Sequence, residues 1–354
     1  MLLSFSNRRW ILTNNLNGIF IIDSFSCNKV IVSLQYILIA TNMKKTLFIF
    51  LIFMVQATPF IYSQKLEQTG VQQADSESLK ILSWNIYMLP YVSLFNHNAR
   101  RARAIGNKLE HSDYQVIVFQ EAFSIKCRRI LARQLRNEYP YQYGPVNKCL
   151  FPFRTSSGLW IVSKIPLKQL DKIRFSISSG FDMIARKGAV LFQGEFRGAP
   201  FQLLTTHLQA DKSNRIREKQ CMEIKEHLLN PYYNPDIPQL ICGDFNIDMD
   251  DQVNYKLMLH TLGSVNGEIS GKMKYTYDEI DNTLVGNVLG KKRVIDYILV
   301  RNEQWIKNIE RKVNTFKTGI GHNSANLSDH YAMEANILFQ PPALSQPALL
   351  SVVK

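Results

Sequence analysis

Side chains able to do acid–base or metal chemistry recur at the ends of apolar runs in this chain of 354 residues. Asn85 follows Ile81–Trp84, Glu121 follows Val116–Gln120, His207 follows Leu203–Thr206, and Asp244 with Asn246 follows Leu240–Gly243. Asp296 and His330 complete the set. Taken singly, each group has an ordinary explanation as a cap, a turn or a satisfied core residue. Together they describe one edge, because strand ends that face a common side build active sites. Carboxylate and amide oxygens are hard ligands, and Mg²⁺ favours one or two carboxylates while keeping water and substrate phosphate in its shell. Glu121 is the first choice of ligand. Asn85 adds a neutral oxygen, which keeps the site's negative charge low enough to admit an anionic phosphodiester. Zinc is not indicated, since the sequence has no H-E-x-x-H and no Cys–His cluster.

The elements that must position these groups alternate between β-rich and amphipathic. Strands are expected at Lys80–Ile86, Gln115–Gln120, Gly158–Ser163, Ala189–Phe196, Gln202–His207, Gln239–Gly243, Val294–Val300 and Ala332–Phe339, most of them apolar enough to be central. Helices are expected at Asn96–Glu110, Ser124–Arg136 and Lys212–Leu229, where apolar residues recur every three or four positions among charged ones. This α/β pattern, without repeats or Gly/Ser linkers, predicts two layers of sheet flanked by helices. A polar lead-in spans 64–78, a catalytic domain 79–339, and a loose Pro/Ala/Leu/Ser tail 340–354.

From Met43 the chain reads as an export signal over 43–63. Lys44 and Lys45 start it, Leu47–Val55 is its apolar run, and Ala57 and Ser63 are small residues at cleavage positions. That run is too short to span a bilayer. Residues 1–42 precede this start and read as a mis-assigned upstream extension, with Val30–Ala40 as an alternative second anchor. The expected destination is secreted or periplasmic. The formal charge is +13; residues 1–63 carry five Lys or Arg and one Asp, so without them the chain keeps +9. A basic surface favours anionic partners without ranking them. Export permits a disulfide, and Cys127 with Cys149 is the expected pair, both lying in one polar-rich segment. Cys242 reads as a buried thiol and Cys221 as a free helical cysteine.

In order along the chain stand W-N-I-Y at Trp84–Tyr87, Q-E at Gln120–Glu121, T-H at Thr206–His207, G-D-F-N at Gly243–Asn246, D-Y at Asp296–Tyr297 and S-D-H at Ser328–His330. This series resembles the endonuclease/exonuclease/phosphatase superfamily over about residues 79–339. The resemblance implies a four-layer α/β sandwich, deoxyribonuclease-like, of two packed sheets flanked by helices. N-I-Y-M-L-P after the first strand, S-G-L-W-I-V-S-K-I-P at Ser157–Pro166, A-R-K-G at Ala185–Gly188 and T-H-L-Q-A-D at Thr206–Asp211 are similar to the bacterial neutral sphingomyelinases. So are T-Y-D at Thr276–Asp278 and the following Asn282.

That likeness implies an Mg²⁺-dependent phosphodiesterase, with Mn²⁺ or Co²⁺ as substitutes, acting as a monomer on sphingomyelin or a related choline phospholipid at a membrane surface, without an obligate protein partner. It implies His330 as general base held by Asp296, with Asp244 and Asn246 positioning water or a phosphate oxygen. His207 would donate to a non-bridging oxygen. The metal set would be Glu121, Asn85 and Asp329, the last either tuning the site or holding metal waters. Tyr87, Phe123 and Lys187 would contact substrate. Trp160 and Phe181 are further aromatic candidates for choline, Trp160 fitting a core position better. Two rival readings stand beside this one. A secreted DNA or RNA endonuclease of the same fold would use Arg100, Arg101, Arg103, Arg128 and Arg129 against phosphates, although such arginines also fit a solvated helix face. A membrane-binding protein without catalysis is the other. Many secreted relatives carry an aromatic β-hairpin before the D-Y strand. Here Asp278–Lys292 is short and holds no Phe or Trp, only Leu284, Val285, Val288 and Leu289. Weak insertion and reliance on surface charge are expected.

Overall fold

The computed structural model describes residues 2–6, 9–14, 18–23, 77–89, 97–148, 155–211, 213–285, 290–319 and 325–340. The expected signal segment 43–63, the stretch Val30–Ala40 and the tail from Pro341 lie outside these. The chain divides into two units, Met1–Asp75 and Ser76–Lys354. In the first, β1 (Leu2–Ser6), β2 (Arg9–Asn14) and β3 (Gly18–Asp23) form an antiparallel sheet in that order.

The second unit runs β4 (Leu79–Asn85), α1 (Asn98–Leu109), β5 (Val116–Gln120), α2 (Ile125–Leu135), β6 (Tyr141–Tyr143), β7 (Trp160–Ser163), β8 (Leu167–Arg174), β9 (Gly188–Phe196) and β10 (Ala199–His207). Then come α3 (Asn214–Ile224), which continues into a π-helical turn at Lys225–Leu229, β11 (Gln239–Asp244) and α4 (Gln252–Leu262). The remaining strands are β12 (Ile269–Ser270), β13 (Tyr277–Asp278), β14 (Lys292–Arg293), β15 (Asp296–Arg301), β16 (Ile306–Asn314), β17 (Lys317–Thr318), β18 (Ala325–Asn326) and β19 (Ala332–Phe339). One mixed sheet has the order β12-β16-β19-β4-β5-β7-β6, the other β15-β11-β10-β9-β8.

Alternation along the strands decides the layering. In β4, Leu79 and Ile81 join the core between the sheets, whereas Leu82 and Trp84 enter a second core under the helices; Val116 and Val118 oppose Ile117 and Phe119 in the same way. Ala102, Ile105 and Leu109 of α1 and Leu131 and Leu135 of α2 close that second core. On the five-stranded side, Cys221, Ile224, Leu228, Met258 and Leu262 from α3, its π turn and α4 pack into the first core. The result is helices, sheet, sheet, helices: the four-layer α/β sandwich that was expected. Each fully buried Leu, Ile or Phe contributes about 1.5–3 kcal/mol relative to exposure.

All eight expected strands form, with ends shifted by a few residues. The additional long strands carry no apolar run: β8 exposes its charged side chains, and β16 intersperses charged and polar residues with Ile306, Ile309 and Val313 and buries Arg311. Helix α4 was not anticipated either; Asp251 caps it by accepting from Asn254 N. Cys127 is a buried free thiol on the inward stripe of α2 with Leu131 and Leu135, its amide donating to the Ser124 cap; the expected Cys127–Cys149 disulfide falls partly outside the described residues, which do not include Cys149. Cys221 and Cys242 are buried free thiols, as read. No helix among the described residues is long and apolar enough to cross a membrane.

Candidate active site

Strand direction gathers the chemistry at one edge. β10 and β11 are parallel, so their last residues, His207 and Asp244, are neighbours. β15 runs antiparallel to β11, which sets its first residue, Asp296, opposite Asp244. In the other sheet β4 and β5 are parallel and end at Asn85 and Gln120, one residue before Glu121. β19 returns antiparallel to β4, so His330, just before it, meets the same end. The chain leaves β4, β5 and β11 through left-handed backbone at Tyr87 (φ 49°), Glu121 (φ 53°) and Asn246 (φ 52°). Such φ values are uncommon for residues with a Cβ and cluster at functional sites.

Asp244 is the hub. Its Oδ2 accepts from Asn85 Nδ2 at 3.0 Å and lies 3.5 Å from His207 Nε2 and 3.7 Å from His330 Nε2. Its Oδ1 accepts from Asn246 N at 3.0 Å. His330 Nδ1 meets Asp296 Oδ2 at 2.9 Å, and the ring edge packs on Tyr277 with centroids 4.9 Å apart. Thr276 Oγ1 accepts from the amides of Ile295 and Asp296. Asn282 Nδ2 donates to the carbonyls of Ser328 and Asp329, both at 2.9 Å, and Ser328 Oγ donates to Asn85 O at 2.6 Å. His330 is therefore fixed from both flanks.

Burial and charge act differently on each group. Burial alone lowers the His330 pKa, but the Asp296 and Asp244 carboxylates outweigh it and hold the ring well above its ordinary value. Burial pushes the Asp296 carboxyl up to about 6, against the lowering effect of His330. His207 goes the other way, to about 4, through burial and the Lys187 ammonium. Lys187 Nζ donates to His207 Nε2 at 3.0 Å, to Asp182 at 2.9 Å and to Leu208 O at 2.9 Å. All three of its donors are used within the chain, and one of them holds His207. His207 Nε2 correspondingly accepts from Lys187.

Glu121 fits a divalent cation. Its Oε2 is shielded from solvent and has no hydrogen-bond partner. Burial, then the neighbouring Asp329 carboxylate, raises its pKa to about 7. Asp329, which accepts from Ser328 Oγ, is likewise raised by burial. A buried carboxylate without partners in a negative setting is relieved by a hard cation. Asp244, Asp296 and His330 also converge within 4.8 Å, but the Nδ1 of His330 is committed to Asp296, which leaves Nε2 for proton exchange.

The other expected residues divide. Asn246 Nδ2 donates to Leu208 O at 3.3 Å beside the hub. Tyr87 is half-buried under the Arg101 guanidinium, 5.6 Å from its ring centre. Phe123 is buried against Gly158, a wall of the core. Trp160 is core as well, stacked on Phe119. Phe181 stands 92% exposed and lines no part of the site. Arg101 is neither a phosphate grip nor a solvated residue: it is buried, donating to the carbonyls of Ile86, Tyr87 and Leu327 and to Asn98 Oδ1. Arg128 clamps the carbonyls of Ala122 and Phe123, while Arg100, Arg103 and Arg129 are exposed. Sequence reasoning missed Asp182, the Lys187 partner, whose only signal is its position five residues before Lys187, and gave Tyr277 and Thr276 no role.

Residues 82–330 match the Endonuclease/Exonuclease/phosphatase family. The chain is 28% identical over 299 residues to Sphingomyelinase C 2 of Leptospira interrogans, covering 74% of this chain and 46% of that protein. The chain thus spans about half the length of that relative. It is 27% identical over 291 residues to a phospholipase C of Staphylococcus aureus, covering 74% and 88%. Among solved structures, a mutant of beta toxin from Staphylococcus aureus with bound magnesium ions superposes with a TM-score of 0.65 at 26% identity, covering 73% of this chain and 99% of that one.

Proposed function

The chain belongs to the Endonuclease/Exonuclease/phosphatase family, and from that premise we propose that it is a secreted, Mg²⁺-dependent phosphodiesterase that hydrolyses sphingomyelin to ceramide and phosphocholine. One observation carries the chemistry: the buried Asp296–His330–Asp244 cluster beside the unpartnered Glu121 oxygen. The choice of lipid is supported by similarity to proteins named sphingomyelinase C. Export is supported by the basic start, apolar run and small residues of 43–63.

In this reading His330 Nε2 takes the proton from a water whose oxygen bonds to phosphorus as the in-line bond to the ceramide oxygen breaks, and that oxygen leaves as the alcohol after taking a proton from solvent. Asp296 keeps the ring oriented through Nδ1 and stabilises its charged form after transfer, a contribution of about 10²–10⁴ in rate. Asp244, held by Asn85 and the Asn246 amide, orients the water between the two imidazoles. Glu121, with Asn85 and Asp329 near it, would hold the cation, which when bound acts as a Lewis acid on a phosphate oxygen and offsets the carboxylate charge that keeps His330 protonated. The Lys187 ammonium, with the neutral His207 ring held against it, supplies positive potential beside Asp244 as charge builds on the phosphate.

The test is phosphocholine release from sphingomyelin in mixed micelles, with and without Mg²⁺, using the chain from residue 64 and its His330→Ala variant, with plasmid cleavage in parallel. Release that needs Mg²⁺ and vanishes in His330→Ala is expected. Plasmid nicking without phosphocholine release would replace the lipid reading with the nuclease one.

A further inference from the structure

Soluble domains scatter exposed apolar side chains singly, and such residues need no explanation. Here several of the large ones sit on loops tied to site residues. Phe181 (92% exposed), Met183 (58%) and Ile184 (41%) crown the β8–β9 loop. Ile125 (60%) opens α2, four residues after Glu121, and Ile280 (56%) follows Asp278 in the β13–β14 connection. β9 starts beside Thr206 at the His207 end of β10, β5 ends at Gln120, and β14 leads into Asp296. All three loops therefore rise from the strand edge that bears the site.

The β8–β9 tip is held firmly while its side chains point outward. Ser179 N donates to Gln209 Oε1 and Gln209 Nε2 donates back to Ser179 O. Asp182 binds Lys187 and accepts from Ala210 N at 2.7 Å, and Thr155 N donates to Ile184 O at 3.1 Å. Exposed lysines adjoin two of the tips: Lys126 follows Ile125, and Lys291 donates its amide to Glu279 beside Ile280.

We propose that this rim, led by Phe181 and Met183, is a lipid-docking surface that sets the mouth of the site against a phospholipid bilayer. Apolar tips with basic neighbours match the boundary between acyl chains and head groups. A protein partner covering the same loops would close the site, whereas a bilayer presents the substrate to it. The inference rests on the reading of the substrate as a membrane lipid. It moves the anchoring role from the short Asp278–Lys292 segment, which holds no Phe or Trp, to the β8–β9 loop.

The experiment uses the full chain and the variant Phe181→Ser/Met183→Ser, with Phe181→Trp as rescue. Co-sedimentation is measured with phosphatidylcholine/phosphatidylglycerol vesicles lacking sphingomyelin, so that docking is read without turnover. Hydrolysis is measured on sphingomyelin vesicles and on p-nitrophenyl phosphocholine, a soluble ester. We expect vesicle affinity and vesicle turnover to fall by about tenfold or more, soluble-ester turnover to stay unchanged, and Phe181→Trp to retain binding. Vesicle binding within twofold of the parent would overturn the proposal, as would an equal loss on the soluble ester or a change in self-association in place of lipid binding. If the parent hydrolyses neither substrate but loses vesicle binding on substitution, the docking surface stands and the enzymatic reading falls.

Discussion

Two imidazoles lie against the same carboxylate oxygen of Asp244, His207 at 3.5 Å and His330 at 3.7 Å, and they end in opposite charge states. Burial presses both toward neutrality. What separates them is the group at the other contact. Asp296 stands 2.9 Å from His330 Nδ1 and reverses the effect of burial, whereas Lys187 stands 3.0 Å from His207 Nε2 and adds to it. Burial acts in the same direction on both rings and is the largest cause at His207; the different partners set the two apart. In the proposed reading one half of the site gives and takes a proton, and the other keeps a neutral ring beside an ammonium.

Breaking the proton-transfer half has the largest expected effect. His330→Ala lowers kcat/KM for sphingomyelin in micelles by about 10²–10⁴-fold with little change in KM, and a loss under threefold would remove His330 from the reaction. The fixed half yields less. Lys187→Met leaves Asp182 and His207 without their shared partner, for a loss of about 10²-fold, and histidine NMR should show the His207 titration moving up from about 4. A His207 titration that stays put would mean that burial, not Lys187, sets its charge. Next in size is the cation site flanking both halves. Mg²⁺ at about 100 times its Kd raises stability by about 2.7 kcal/mol, read as a shift in thermal midpoint. Glu121→Gln should lose most of that shift, and an undiminished shift would place the cation elsewhere.

Much of the strand-end set was legible in sequence because its signal is local. Asn85, Glu121, His207, Asp244 and His330 each sit within a residue or so of the end of an apolar run, and strand parity plus a common edge did the rest. The fixed half was less legible. Lys187 reaches His207 from β9's approach, and Asp182 reaches Lys187 from a loop with no apolar pattern, so only tertiary folding joins them. Arg101 was misread for a related reason. The left-handed turn after β4 leaves the carbonyls of Ile86 and Tyr87 in need of a donor, and one guanidinium on α1 serves them, a role invisible in helical periodicity. In the fold, β8 and β16 escaped notice because charged and polar residues interrupt any apolar run, while Cys127 falls on the inward stripe of α2.

The smallest effect tests the comparison through stability alone. His207 has a folded pKa of about 4 against an ordinary value of 6.5, so between these pH values the unfolded chain binds the extra proton. Its contribution is complete above about pH 6.5 and is lost as pH falls toward 4. By pH 5 the loss is about 2 kcal/mol. His330 has the opposite sign: its raised pKa stabilises the fold below 6.5, and that contribution fades only as pH rises through its folded value. Glu121 and Asp296, raised to about 7 and 6, stabilise the fold as pH falls and are common to all three proteins, so the readout is the difference in acid limb: between pH 7.5 and 5 His207→Asn should gain about 2 kcal/mol relative to the parent, while His330→Asn loses stability relative to it. Denaturant melts of the three proteins at both pH values measure this directly. Equal acid limbs in parent and His207→Asn would show that the two imidazoles are not held in opposite charge states, and the division of the site into a titrating half and a fixed half would fail with it.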